Sequence, residues 1–273
     1  MIQDIYPHKF NNQYDPAKEA KPDSPIITFK GRDLLLKGET HLPVCSDLEV
    51  QDKPVYLFNV DGVDYYYILP PEEAPSGMTY RRMRDVRYDE RIDQVLTFTV
   101  MTGYQLVRWY KDNVYCGTCG SRTEHSKTER ALSCPSCGRL IYPRIIPAVI
   151  VGITNGDEII LTKYAGRDIN YYALVAGFTE IGETLEETVE REVMEEVGLK
   201  VKNIRYYKSQ PWGVADDILA GFFCEVDGDT TIKMDESELK VAQWTKREDI
   251  ILQPDNFSLT NEMMTVFKEG REK

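Results

Sequence analysis

The chain has 273 residues, 42% hydrophobic and 29% charged, with a formal net charge of -12. That length supports more than one hydrophobic core, the composition is that of a soluble protein, and the charge argues against nonspecific attraction to nucleic acid, which needs a positive field. No N-terminal apolar stretch resembles a signal or membrane span. Two of the six cysteines, Cys45 and Cys224, fall in no paired pattern, which fits a reducing cytoplasm.

Residues 1–111 carry short apolar and aromatic runs, IITF, LLL, PVYLF and DYYYIL, separated by Gly, Pro and Asp turns. They are expected to form a mostly β N-terminal domain, irregular through Pro25 and closing on a helix over IDQVLTFTVMTGYQLVRWYKD. Residues 112–142 contain Cys116-Gly-Thr-Cys119 and Cys134-Pro-Ser-Cys137, each pair followed by glycine. Two CxxC turns at this separation present four thiolates to one tetrahedral ion, so Cys116, Cys119, Cys134 and Cys137 are expected to hold a structural zinc. Disulfide pairing is the alternative. Basic residues between Arg122 and Arg139 leave local contact with an RNA end open despite the overall charge.

Residues 143–273 change character. PAVIVGI and EIILTKY, joined by Thr-Asn-Gly-Asp, form a β-hairpin pattern. The segment GFTEIGETLEETVEREVMEEVGL then packs seven glutamates between Glu183 and Glu196 around Arg191. At about 3.6 residues per turn, Glu192, Glu195 and Glu196 project from one side of a helix. Like charges in one small volume call for a cation between them, and hard oxygen ligands select Mg²⁺, Mn²⁺ or Ca²⁺. Leu185, Val189, Val193 and Val197 recur every four residues as a packing stripe, and Gly198 ends the helix. A solvated acidic helix is the plainer reading. The fixed order of loop glycines, Arg-Glu pair and clustered glutamates argues against it. Strands are expected near NIRYYKS, LAGFFCEV and VAQW, and a closing helix near residues 258–270. Phe178 is the first candidate to stack on a base, with core packing as its alternative. The histidines, His8, His41 and His125, all precede this part, so a glutamate or metal-activated water serves as base. Neither GxGxxG after a strand nor GxxxxGK[ST] is present.

The order Gly177, five residues, Glu183, seven residues, Arg191-Glu192-Val193, one residue, Glu195-Glu196, one residue, Gly198-Leu199 resembles the Nudix box without a departure. A zinc ribbon directly before it resembles the NADH pyrophosphatase family of Nudix hydrolases, and the likeness covers roughly the last three-fifths of the chain. The resemblance implies an α+β protein: a Nudix α/β/α sandwich preceded by a zinc ribbon and the mostly β N-terminal domain. It implies metal ligation by Glu192, Glu195, Glu196, Glu238 and the carbonyl of Ala176, with Glu236 competing for the place of Glu238. Glu183 becomes an outer contributor and Arg191 a brace for the carboxylates.

Ser209-Gln210-Pro211-Trp212 resembles the start of the family's signature array, which implies substrate contacts from Gln210 and Trp212. Thr260 falls at a further contact position. Tyr142 and Glu129 match ribbon positions that reach a partner's site, implying a homodimer. The array then departs: Gly213-Val214-Ala215-Asp216-Asp217 stands where the family continues Pro-Phe-Pro, one residue, Ser. A more mobile or differently shaped loop is expected there, with aspartates unfavourable to a polyanion. The activity implied is hydrolysis of NADH or NAD⁺ to AMP and nicotinamide mononucleotide with Mg²⁺ or Mn²⁺, with NAD-capped RNA as a further substrate. Alternatives are a Nudix enzyme for ADP-ribose or nucleotide sugars, and a non-catalytic nucleotide-binding regulator.

Overall fold

Continuous burial along the central strands sets the architecture in a computed structural model that describes residues 1–50, 52–166 and 171–272. The chain divides into two compact units. One comprises residues 4–144 with 213–216, the other residues 1–3, 145–212 and 217–273.

In the first unit, β1 (Phe10–Asn11), β4 (Val55–Val60) and β5 (Val63–Tyr67) form one antiparallel sheet. A second sheet contains β2 (Phe29–Lys30), β3 (Asp33–Lys37) and β6 (Met78–Arg82). After the short α1 (Met83–Arg87), which the sequence reading did not anticipate, comes α2 (Gln94–Asp112). The Asp93 side chain caps α2 by accepting the Leu96 N–H at 2.7 Å. Its apolar residues Phe98, Val100, Met101, Val107 and Trp109 are buried, so the helix expected there is present and packed. Three two-residue strands, β7 (Glu124–His125), β8 (Leu132–Ser133) and β9 (Leu140–Ile141), form the ribbon sheet.

The second unit is built on a sheet of order β13-β14-β10-β11-β15, with β12 paired to β10. Its strands are β10 (Ile146–Asn155), β11 (Glu158–Tyr164), β12 (Val175–Phe178), β13 (Val201–Trp212), β14 (Asp217–Val226) and β15 (Leu239–Lys246). The expected hairpin joins β10 to β11, pairing Asn155 with Glu158 across Gly156, whose φ is +59°. Because strand side chains alternate faces, β10 sends Val149, Val151 and Ile153 to one side, where they pack with Val189, Val193 and Val197 of α3 (Leu185–Val197). Ile150 faces the other side and packs with Leu259, Met263 and Phe267 of α4 (Leu259–Lys268). Helix, sheet and helix form the expected α/β/α sandwich.

Candidate active site

The site grows from the junction of β12 and α3. Helix α3 starts on a reciprocal cap: Thr184 Oγ1 accepts the Glu187 N–H at 3.1 Å, and Glu187 Oε2 accepts the Thr184 N–H at 2.7 Å. It ends where Gly198 turns left-handed, at φ +69°, and donates to the Met194 carbonyl at 3.1 Å. These fixed ends set the rotation of the helix. Its stripe of valines faces the sheet, placing Glu192 and Glu196 inside, 8% and 2% exposed, and the Glu195 side chain outside at 59%.

Arg191 organises the carboxylates. Its Nε donates to Glu183 Oε1 at 2.5 Å and Nη2 to Glu183 Oε2 at 2.9 Å, a bidentate pair. Nη1 reaches Glu192 Oε1 at 2.7 Å and Glu195 Oε2 at 3.0 Å, and Nη2 also reaches the Phe178 carbonyl at 2.8 Å. One guanidinium thus ties the loop, the strand end and two turns of helix together. The Thr188 hydroxyl lies 3.0 Å from Glu183 Oε2, a contact the sequence reading missed.

Charge follows this geometry. Arg191 holds the Glu183 carboxyl down at about 2, helped by the Glu180 N–H and Thr188. Burial pushes Glu192 above the ordinary carboxyl value, opposed by Arg191 and reinforced by the negative charges of Glu195 and Glu238. Glu238, just before β15, is therefore within electrostatic reach of Glu192.

Glu192 also explains a glycine. A Cβ on Gly177 would lie 1.9 Å from Glu192 Cδ, so only glycine lets β12 pass against this carboxylate. Ala176 precedes it on the same strand, paired with Ile150. The oxygen-rich donor set and the cradle left by Gly177 fit a hard divalent cation. The carboxylates are nevertheless less tightly gathered than the sequence implied. Among the described residues, only the four cysteines bring three or more Cys, His, Asp or Glu donors within 4.8 Å of one another. The cation placed among Glu183, Glu192 and Glu195 is the Arg191 guanidinium. Gly177→Ala is expected to force helix and strand apart, costing about 1–3 kcal/mol of stability and most of the activity. Chemical unfolding and a turnover assay of the variant check both.

The remaining candidates divide. Phe178 is 51% exposed at the end of β12 and free to present its ring. Trp212 ends β13 half-buried, and Thr260 is half-buried in the first turn of α4. Tyr142 and Glu129 are brought together on the ribbon, where the Glu129 carboxylate raises the pKa of the phenol. Gln210 needs correction as a substrate contact. It is fully buried, its amide donating to Phe257 O at 2.7 Å and Gln3 Oε1 at 3.0 Å, while its Oε1 accepts the Leu259 N–H at 2.7 Å. Its polar atoms are spent bracing the start of α4.

The departing segment, expected to be more mobile or differently shaped, is packed against α2. A Cβ on Gly213 would come 2.3 Å from the Met101 carbonyl, so this glycine permits close approach to α2. Asp216 is 4% exposed at φ +65°. It pairs with Arg108 and, at 2.8 Å, with Arg144, which neutralise its charge. Asp216→Ala leaves those arginines without their carboxylate. Since Arg144 is 63% exposed, the loss should fall below the roughly 3–5 kcal/mol of a fully buried pair, at about 2–3 kcal/mol, measured by urea unfolding.

In the ribbon the two CxxC turns repeat one geometry. Gly120 and Gly138, at φ +73° and +76°, donate to the carbonyls of Cys116 and Cys134 at 2.8 and 2.9 Å. The sulfur of Cys116 lies 3.7 Å from that of Cys137, and Cys119 lies 3.4 Å from Cys134. A tetrahedral ion with bonds of about 2.3 Å requires edges of about 3.8 Å. The thiols are unbridged and the arrangement fits one zinc.

Residues 144–265 match the NUDIX domain model, and residues 111–142 match the NADH pyrophosphatase zinc ribbon domain. The chain carries an NADH pyrophosphatase zinc ribbon followed by a Nudix domain. This Nudix chain is 42% identical over 173 residues to the NAD-capped RNA hydrolase NudC of Shigella boydii serotype 18, covering 63% of the chain and 66% of that protein. It is 44% identical over 153 residues to the protein of that name from Escherichia coli K12, covering 56% and 59%. The matches thus span slightly under two thirds of these relatives' lengths. A crystal structure of a NUDIX hydrolase from Nitrosomonas europaea is similar at 19% identity and a TM-score of 0.49, covering 57% of this chain and 90% of that one. Among the described residues no helix is long and apolar enough to cross a membrane.

Proposed function

We propose that the chain hydrolyses the diphosphate bond of a dinucleotide, NADH or NAD⁺, to AMP and nicotinamide mononucleotide, with the end of NAD-capped RNA as a further substrate. The observation that carries this reading is the carboxylate set locked by Arg191, with Glu192 seated against Gly177. The likeness to NAD-capped RNA hydrolases supports the choice of substrate. In this reading Glu192, Glu195, Glu196, Glu238 and the Ala176 carbonyl hold Mg²⁺ or Mn²⁺. Such ions screen the phosphates and lower the pKa of water.

The chain's own groups do the rest. Arg191 and Glu183 keep the carboxylates in place, and Thr188 keeps Glu183 turned toward Arg191. Phe178 stacks on a base, an interaction of about 1–3 kcal/mol by analogy with single-strand binding. Trp212 and Thr260 border the substrate, while Gln210 acts only by fixing the end of β13 to the start of α4. Tyr142 and Glu129, neighbours on the ribbon, serve the site of a second copy, which makes the working form a homodimer. A reducing cytoplasmic setting suits four thiols held for zinc.

A second reading, cleavage of ADP-ribose or nucleotide sugars, is favoured by the Gly213–Asp217 departure. The discriminating experiment incubates the protein with NADH, NAD⁺, ADP-ribose and nucleotide sugars plus Mg²⁺ or Mn²⁺, and follows the phosphomonoester products by phosphatase-coupled phosphate release. The proposal expects the highest kcat/KM for NADH or NAD⁺. Preference for ADP-ribose or a nucleotide sugar supports the second reading, and cleavage of none of them leaves a nucleotide-binding regulator.

A further inference from the structure

The ribbon loop that carries Glu129 is clasped at both ends to the N-terminal part of its own unit. Residues 126–131 connect β7 to β8, where His125 pairs with Leu132. The loop closes on itself: the Ser126 N–H donates to the Ala131 carbonyl at 2.9 Å, and the Ala131 N–H to the Glu129 carbonyl at 2.8 Å. Glu129 stands exposed near its end. At the start of the loop the Tyr14 hydroxyl donates to the Ser126 carbonyl at 2.8 Å. At the end, Arg130 reaches back to the sheet. Its Nη2 donates to the Leu57 carbonyl of β4 at 2.6 Å, and to the Asn12 carbonyl and side-chain Oδ1 at 3.3 and 3.2 Å. The guanidinium lies 5.3 Å from the centre of the Tyr14 ring, so the two clasps meet.

These acceptors are neutral. A guanidinium that ends on carbonyl oxygens and a ring face fixes direction more than it neutralises charge. The backbone it grips is firm, because Leu57 is fully buried and β4 is paired with β1 on one side and β5 on the other. Arg130 is therefore anchored to a sheet, while its neighbour Glu129 sits in a loop with no strand or helix to hold it. A side chain that reaches another molecule from such a loop loses conformational freedom on contact. A loop ordered beforehand avoids that cost.

We propose that Arg130 is a positioning residue for dinucleotide binding: by tying the loop to Leu57 and Asn12 it holds Glu129 in the place from which it serves the site of a second copy. The inference rests on that role of Glu129 and gives the N-terminal sheet a part in substrate binding. Arg130 itself touches no substrate. Losing it should weaken binding before and during the reaction alike, which raises KM and leaves kcat nearly unchanged.

The test is a cycle of Arg130→Met, Glu129→Gln and the double variant in the full zinc-loaded chain, with NADH as substrate. Arg130→Met is expected to raise KM about tenfold with kcat within about twofold of the parent, and to speed amide hydrogen exchange over residues 126–131 at unchanged zinc content. Because both changes act through one contact, the double variant should be no worse than the weaker single variant. Arg130→Lys, which keeps a charged donor, should recover part of the loss. Tyr14→Phe, which opens only the other clasp, should raise KM by about threefold and serves in place of Arg130→Met if that variant sheds zinc. Parental KM in Arg130→Met, or losses that multiply in the double variant, overturns the proposal while Glu129→Gln still raises KM. Parental KM in Glu129→Gln instead contradicts the reading of Glu129 on which the proposal rests.

Discussion

Glu192→Gln is expected to lower kcat for dinucleotide cleavage by roughly 10²–10³-fold, the scale of losing one group that stabilises transition-state charge. The fold should survive. Glutamine keeps the shape and an oxygen acceptor for the Arg191 Nη1 donor that now lies 2.7 Å from Glu192 Oε1. It also removes the desolvation that raises the Glu192 pKa, so the unfolding midpoint should hold or rise. Turnover and thermal unfolding of the same preparation check the two halves. A stable variant with parental turnover contradicts the proposed role of Glu192, while an unfolded variant shows that Glu192 acts in packing.

Cys134→Ser is expected to have the largest effect on stability, confined to the ribbon. A four-thiolate site contributes folding free energy directly, about 10–16 kcal/mol for zinc-finger peptides near neutral pH. The ribbon strands are two residues each and provide little competing order. Removing a buried thiolate should reduce zinc from one per chain to a fraction and open residues 116–137 to protease, leaving the sheet that carries α3 folded. Metal analysis and limited proteolysis measure this. Full zinc retention with parental protease resistance contradicts the assignment.

What the sequence made legible were features whose cause is local. The valine stripe of α3 could be read because its period matches a helix and one face is buried. The hairpin after Asn155 needed only a glycine at positive φ. The four cysteines carry their geometry in their spacing. Gln210 shows the limit: its neighbours resemble a substrate array, but its amide is committed to Phe257 and Leu259, far along the chain. Asp216 shows the same from the other direction. Its charge looked unfavourable to a polyanion, and only packing reveals Arg108 and Arg144 around it. Within the box, the pairing of Arg191 with the carboxylates was legible. Its simultaneous hold on Glu183, Glu192, Glu195 and the Phe178 carbonyl depends on how β12 approaches α3.

The central claim is that carboxylates of α3 hold divalent cations against a phosphoanhydride. Anomalous diffraction from crystals soaked in Mn²⁺ tests it most directly. The account predicts manganese bound by Glu192 and Glu196, with Glu195 drawn in from solvent. Carboxylates that leave manganese unbound at saturating concentration, with Glu195 still facing solvent, would contradict it.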